Sequence, residues 1–450
     1  MSPNSPLFDH VLSIIRPSEQ ERAEMERFVG ELLARAGELA RSQGLPCQVV
    51  LGGSAARGTW LAGDHDIDIF LCVPEHRELE EAMAIGRQLV LEHEERYAEH
   101  PYVHASLGGF DLDIVPCFSI SDPSHLRSAV DRTPFHTRYV AGRIRGLEDQ
   151  VLLLKAFMKG IGVYGSELRT GGFSGYLTEL LVLKYGSFAA VLEASASWRP
   201  GLVIDLENHG SAIHTQPLVV VDPVDPRRNV AAALTLDRFA QFIGAARQFM
   251  AAPHERFFFP APAEPLKDGE LVRALQARKT MIIVVEFRPP DLVEDIIYPQ
   301  LQKAQASIRS LLDREGFSVL RSGGNVSGQW GWLLFELLVW ELPGVKKHPG
   351  PPVWEGQHLD SFLQEDRLIL SGPYIEEGRA VVEVLRKYRR PDDLLRDRLG
   401  SLSLGHHLSP SIRSSFVLYQ GWEILSIQSQ DFRLFLSRYL SLRAWPAAQD

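Results

Sequence analysis

Only three cysteines occur in 450 residues, Cys47, Cys72 and Cys117. They stand far apart, none at metal-ligand spacing, and an odd number cannot form a complete disulfide set. Each falls in an apolar, strand-like run, which points to inert core thiols and to a reducing cytoplasm. No charged leader followed by an apolar run opens the chain, so no secretion signal is expected. Long hydrophobic runs are also missing. The most apolar segment, Trp330 to Leu342, is too short for a membrane span and is interrupted by Glu336 and Glu341. It reads as a buried strand or helix, and no membrane association is expected. Positive charge is in deficit, with 47 Lys and Arg against 57 Asp and Glu and a net charge of −10. That balance argues against a protein that coats nucleic acid. It leaves room for a local basic face, because affinity follows the phosphates contacted and not the total charge. Lys346 with Lys347, and Arg386, Lys387, Arg389 and Arg390, are local basic clusters, each of which an ordinary solvated surface also presents. Internal repeats and low-complexity segments are absent.

What the chain does contain is organised around Leu51 to Leu71, LGGSAARGTWLAGDHDIDIFL. An apolar strand leads into a glycine-serine turn carrying Ser54 and Arg57, and a second strand returns with Asp66 and Asp68 two residues apart. Side chains on a strand alternate faces, so both carboxylates project from one side of the sheet. Like charges so placed repel unless a cation lies between them, and hard oxygen ligands at this spacing suit Mg²⁺. Gly52 and Gly53 permit close backbone approach to a ligand, and the amides from Ser54 onward can cradle a phosphate. A hairpin follows, Tyr102 to Leu107 and Phe110 to Phe118, turning at Gly108-Gly109. Asp111, Asp113, Val115 and Cys117 share one of its faces. Asp113 stands among Leu112, Ile114, Val115 and Pro116, where an unpaired carboxylate is expensive and a role as third metal ligand would remove the cost. Spacing alone does not separate Asp113 from Asp111.

The string GS-x-A-R-G-T-W-L-x-G-D-x-DID resembles the signature of polymerase-beta-type nucleotidyltransferases. More closely it is similar to that of the archaeal-type, class I CCA-adding enzymes, which build the 3′ end of tRNA. DLDIVPC, VDRTPFHTRYV, VLLLKAFMKGIGVYG, GFSGYLTELLVLKYGSF and PVDPRRNVAAAL continue the likeness, specifically over the first half of the chain and loosely beyond. Thr178 stands where a small or thiol residue is expected, a change that touches packing only. The resemblance implies an α+β multidomain protein: a polymerase-beta-like nucleotidyltransferase head (1–145), a helical neck that recognises the nucleotide base (146–215), a body (216–275 plus 370–450) and an α+β, ferredoxin-like tRNA-binding tail (280–368). It also implies that Asp66, Asp68 and Asp113, the last preferred over Asp111 by the motif, hold two Mg²⁺ ions. Ser54 and Arg57 would hold phosphates, His136, Lys155 and Tyr164 would contact the nucleotide, and Arg228 would help select the base. The implied reaction adds C, C and A to tRNA from CTP and ATP without a template and releases pyrophosphate. The implied partner is tRNA, gripped by shape along its acceptor and T stems, and not DNA. A homodimer is left open.

The carboxylates by themselves fit other members of the superfamily equally well, such as a poly(A) polymerase, an oligoadenylate synthase or an aminoglycoside-modifying enzyme. A catalytically dead RNA-binding relative and a scaffold using the C-terminal half are readings from other classes. Read from its patterning, the rest of the chain comprises a capped helix from Ser18 to Gln43, a helical run from Glu75 to about Arg96, a strand at Leu218 to Val221 and a helix at Leu236 to Met250. A boundary is expected between Pro253 and Asp268. Beyond it come a strand at Thr280 to Phe287, a helix from about Asp295 to Arg314, strands at Ser318 to Arg321 and Trp330 to Leu342 around a glycine turn at Ser322 to Gly328, and a helix from Glu376 to Lys387. His406-His407 has no third ligand at suitable spacing and reads as a loop.

Overall fold

A computed structural model describes residues 5–97, 99–210 and 214–445. The chain divides into two compact units, residues 1–261 with 443–450 and residues 262–442.

The first unit opens with helix α1 (Pro6–Ile15) and helix α2 (Glu19–Ser42), then strands β1 (Gln48–Leu51) and β2 (Asp66–Val73), helix α3 (Leu79–Leu89) and strands β3 (Glu94–Tyr97), β4 (Pro101–Leu107) and β5 (Phe110–Phe118). Ser18 and Glu21 close the expected capping box on α2, the Ser18 amide donating to Glu21 Oε2 at 2.7 Å and the Glu21 amide to Ser18 Oγ at 3.1 Å. The five strands form one sheet in the order β1-β2-β5-β4-β3. On one face Ile67, Ile69, Leu71 and Val73 of β2 and Leu112 and Ile114 of β5 pack against α2 and α3. The opposite face of β2 and β5 begins with aspartates and ends in Phe70, Cys72 and Cys117. Cys72 and Cys117 are buried free thiols and Cys47 is half-buried.

Five helices follow: α4 (Thr133–Ala141), α5 (Glu148–Gly160), α6 (Gly175–Tyr185), α7 (Phe188–Ser195) and, after the short parallel pair β6 (Leu202–Asp205) and β7 (Leu218–Val221), α8 (Leu236–Ala251). Helix α5 is buried on every side from Val151 to Met158, Lys155 included, as a helix at the centre of a core must be. Phe157 is fully buried and its ring meets those of Phe188, Phe242, Phe249, Phe257 and Phe258 at centroid distances of 5.4–6.2 Å.

The second unit comprises α9 (Asp268–Arg278), β8 (Met281–Phe287), α10 (Glu294–Glu315), β9 (Val319–Ser327), β10 (Trp330–Leu337), β11 (Val345–Pro352), α11 (Gly356–Gln364), β12 (Ile369–Glu376), β13 (Arg379–Leu385), α12 (Pro391–Arg398), α13 (Leu408–Ser415), β14 (Val417–Gln420) and α14 (Gln430–Leu440). An antiparallel sheet in the order β14-β8-β10-β9 has α10 on one face, and a second sheet runs β11-β13-β12. Residues 406 and 407 form a turn before α13. Among the described residues no helix is long and apolar enough to cross a membrane.

Three expectations are corrected. The helical run after Glu75 stops at Leu89, and Glu94–Tyr97 is the outer strand β3, whose charged side chains suit a sheet edge. The glycines at 323 and 324 lie inside β9 and do not form a turn. A Cβ on Gly324 would come within 3.0 Å of Leu301 and 3.1 Å of Leu333, so the strand needs glycine to pass there. Residues 379–385 form a strand, β13, and not a helix. Ala380, Val381 and Val382 are consecutively buried at the centre of the second sheet, which suits a β-branched run.

Phe157→Ala should destabilise the first unit by about 3–5 kcal/mol, because five aromatic neighbours cannot collapse into the space vacated. Urea unfolding measures this, and a loss below about 1 kcal/mol would contradict the packing described.

Candidate active site

Strand register assembles the acids. β2 and β5 run parallel with Asp66 opposite Asp111 and Asp68 opposite Asp113, so four carboxylates line one face on adjacent strands. Asp111 accepts from Ser106 Oγ at 2.6 Å. Asp113 Oδ1 is 2.7 Å from Nδ1 of His104, its register partner on β4. Burial, and then the charges of Asp113 and Asp66, push the Asp68 carboxyl up to about 6 against the opposing pull of Arg57. Asp66 is raised as well, by burial and by Asp64 and Asp111. The surroundings of Asp113 differ from the expected apolar ones. Leu112 and Ile114 face the opposite core, and the Asp113 side chain is 37% exposed and bound to His104.

Gly53 has φ +61°, and a Cβ there would lie 1.9 Å from Asp68 Oδ2, while one on Gly52 would lie 2.3 Å from the Phe70 ring. The room left by both glycines is thus filled by side chains of β2, where the sequence suggested a ligand. Ser54 begins a 3₁₀ turn, Ala55–Arg57, that its side chain does not cap. Among the described residues, no three His, Cys, Asp or Glu side chains already close on a common centre. The donor set nevertheless fits a divalent cation. It consists of hard carboxylate oxygens on neighbouring strands, with Asp66 and Asp68 raised by burial and then by neighbouring carboxylate charge, and a cation would relieve that repulsion.

Beside the acids lies a buried ionic cluster that the sequence analysis did not anticipate in full. Glu179 of α6 is fully buried and its Oε1 accepts from Arg57 Nε at 2.9 Å and Thr59 Oγ1 at 2.6 Å, while Oε2 has no partner. The Arg57 side chain is only 7% exposed. Lys155 of α5 is buried and donates to the Thr59 carbonyl at 2.7 Å, and burial pulls its pKa down to about 8. The Tyr164 ring stands 6.0 Å from Lys155 Nζ and 5.6 Å from Lys159 Nζ. Lys159 also pairs with Asp64 at 2.8 Å. The structure therefore brings Arg57, Lys155 and Tyr164 together, with Glu179 as the group that orients Arg57. A glutamate within the otherwise apolar run YLTELLVL was the available signal.

His136 and Arg228 meet at a third point, Asp222, which the sequence analysis also missed. Asp222 follows β7 and is fully buried, with Oδ2 2.9 Å from His136 Nε2 and 2.8 Å from an Arg228 terminal nitrogen. Tyr176 OH donates to Oδ1 at 3.3 Å, and the His136 and Tyr176 rings stack at 4.1 Å. Burial alone would raise Asp222, yet the His136 and Arg228 bonds and the Val224 amide outweigh it and hold the carboxyl at about 2. Burial lowers His136, so the neutral imidazole donates its Nε2 proton to the carboxylate. An aspartate ending the apolar strand LVVVD, six residues before Arg228, was the legible clue.

Comparison with known proteins fits this arrangement. A nucleotidyltransferase domain model matches residues 36–136, a model of the second domain of tRNA nucleotidyltransferase matches 149–259, and a model of the C-terminal domain of CCA-adding enzyme matches 278–421. The CCA-adding enzyme of Methanosarcina barkeri is 46% identical over 96% of this chain and 97% of its own length. That of Methanosarcina mazei is 45% identical over the same shares, and that of Methanothermobacter thermautotrophicus 41% over 98% of this chain and 99% of its own. A solved structure of a cytoplasmic RNA terminal U-transferase aligns at 16% identity and TM-score 0.45, covering 57% of this chain and 98% of the other. With relatives this similar along nearly its whole length, the chain belongs to the CCA-adding enzymes.

Proposed function

We propose that this chain adds and repairs the 3′-terminal CCA of tRNA, transferring CMP twice and then AMP from CTP and ATP with release of pyrophosphate. Full-length kinship to CCA-adding enzymes carries this reading, and the clustered carboxylates beside buried cations agree with it. Asp66, Asp68 and Asp113 hold the metal, and His104 steadies Asp113. Two Mg²⁺ ions bound there supply Lewis acidity, lowering the pKa of the attacking 3′ hydroxyl and neutralising charge on the triphosphate. Ser54 and Arg57 hold phosphates, with Arg57 fixed by Glu179 and by a further hydrogen bond to Thr137 Oγ1 at 3.4 Å. Lys155 neutralises phosphate charge, since a bound anion favours the ammonium form that burial disfavours. Tyr164 and His136 contact the nucleotide, and Arg228 helps choose the base. Residues 1–145 act as head, 146–215 as neck, 216–275 with 370–450 as body and 280–368 as tail, with the tRNA held along its acceptor and T stems. The reaction belongs in the cytoplasm and needs no nucleic-acid template.

Extension assays at single-nucleotide resolution test the activity. CTP alone should add two residues to a transcript lacking CCA, and ATP alone should extend only a CC-ended transcript. Unlimited ATP addition, or labelling of aminoglycosides, would overturn the assignment. Asp66→Asn, Asp68→Asn and Asp113→Asn should each reduce kcat by about a thousandfold or more while tRNA affinity stays near that of the parent. Unchanged turnover in any of them would remove that residue from the metal site.

Asp68 also gives a pH signature. Its folded pKa of about 6 lies above the ordinary 3.8. Its stabilising contribution is thus full below pH 3.8 and lost as pH rises through about 6. In EDTA, Asp68→Asn should therefore be more stable than the parent at pH 7.5, by about 2 kcal/mol, with the difference vanishing near pH 4. A melting temperature below the parent's at pH 7.5 would contradict the electrostatic picture.

A further inference from the structure

Asp222 touches none of the groups that carry the phosphates, yet it gathers side chains from three separate segments. His136 comes from α4, Tyr176 from α6 and Arg228 from the turn that leaves β7. A fully buried carboxylate is costly unless every lone pair is used, and here four donors use them, the fourth being the Val224 amide at 3.1 Å. The turn itself is pinned. The Asp222 amide donates to the Arg228 carbonyl at 3.0 Å and the Arg228 amide to the Asp225 carbonyl at 2.9 Å. The Asn229 side chain accepts from the Val220 and Ala231 amides, both at 2.9 Å. Backbone and guanidinium are therefore fixed together. The Arg228 side chain keeps 36% of its surface exposed, and among the described residues Asp222 is the one group shown receiving its side-chain hydrogen bond.

We propose that Asp222 is a positioning residue for nucleobase selectivity, acting through Arg228, with His136 and Tyr176 bracing the carboxylate. The inference rests on the reading that Arg228 faces the incoming base. Arginine has only donors to offer. A donor held rigidly toward the Watson–Crick edge is satisfied by cytosine N3 and adenine N1, which carry no proton. It is opposed by uracil and guanine, which carry N–H at the same place. Rigidity is what turns that difference into discrimination, because a mobile guanidinium swings to the carbonyl oxygen of uracil instead. The Asp222 ion pair supplies the rigidity.

The test is incorporation of CTP against UTP onto a transcript lacking CCA, by the full chain and its variants. Asp222→Asn keeps the shape of the side chain and removes its charge. It should lower the ratio of kcat/KM for CTP over UTP by about tenfold or more, chiefly through KM for CTP, and lower the melting temperature as well, since the new NH2 faces two of the four donors. An unchanged ratio in a folded Asp222→Asn protein overturns the inference. Arg228→Ala separates this from the underlying reading. If Arg228→Ala keeps the full ratio, Arg228 does not read the base and both ideas fall. If Arg228→Ala loses the ratio and Asp222→Asn does not, only the role of Asp222 falls. In the double variant, Asp222→Asn should add nothing to Arg228→Ala, whereas an additive loss overturns action through Arg228. Should Asp222→Asn fail to fold, Tyr176→Phe decides the matter: loosening Oδ1 lowers the ratio if the brace is real, and an unchanged ratio overturns it.

Discussion

Parallel pairing of β2 with β5 sets Asp68 beside Asp113 and Asp66 beside Asp111, and much of the first unit serves that juxtaposition. Four like charges on one face resist assembly. The opposite face compensates, with Ile67, Ile69, Leu71, Leu112 and Ile114 buried against α2 and α3. A register slip of one residue would exchange the two sets and bury the aspartates, so the hydrophobic pattern that stabilises the sheet also aims the acids. The raised pKa of Asp68 is the strain that remains, and a bound divalent ion would relieve it.

Two buried carboxylates away from the sheet have the complementary task of holding cations still. Glu179 fixes Arg57 and Asp222 fixes Arg228, each from a position with no exposed surface. Neither pair is a stability device in the first instance, since burying a charge costs most of what the partner returns. What each provides is orientation, which matters where a guanidinium must donate in one direction only. The wholly buried α5, clasped by the phenylalanines around Phe157, holds Lys155 beside this set. Burial lowers the pKa of that lysine to about 8, and an anion bound beside it would raise it again.

The second unit repeats the theme of buried charge without chemistry. Glu336, on the central strand β10, has no exposure and accepts from Arg278, Thr280 and Tyr439. It joins α9 and α14 to the sheet that they cover. The basic clusters noted in the sequence are partly committed as well: Lys347 pairs with Glu376 and Lys387 with Asp397.

The amino-acid sequence by itself determined the hairpin of β4 and β5, the capped α2, the aspartate pair and the family to which they belong, because each is written in a short, contiguous string. Ser18 and Glu21 are three residues apart, and Asp66 and Asp68 two, so local geometry closes the capping box and puts both carboxylates on one face. Asp222, Glu179 and His104 were out of reach for the opposite reason. Their partners lie 86, 122 and 9 residues away in the chain, and a local clue such as an acid in an apolar run marks a residue without naming its partner. The misread strands β9 and β13 follow the same rule. Gly324 belongs in a strand only because Leu301 and Leu333 crowd it, and the run at Ala380 to Val382 becomes a strand only once β11 and β12 flank it. Tertiary packing decided those, since the free energy of a buried contact depends on what arrives from elsewhere in the chain.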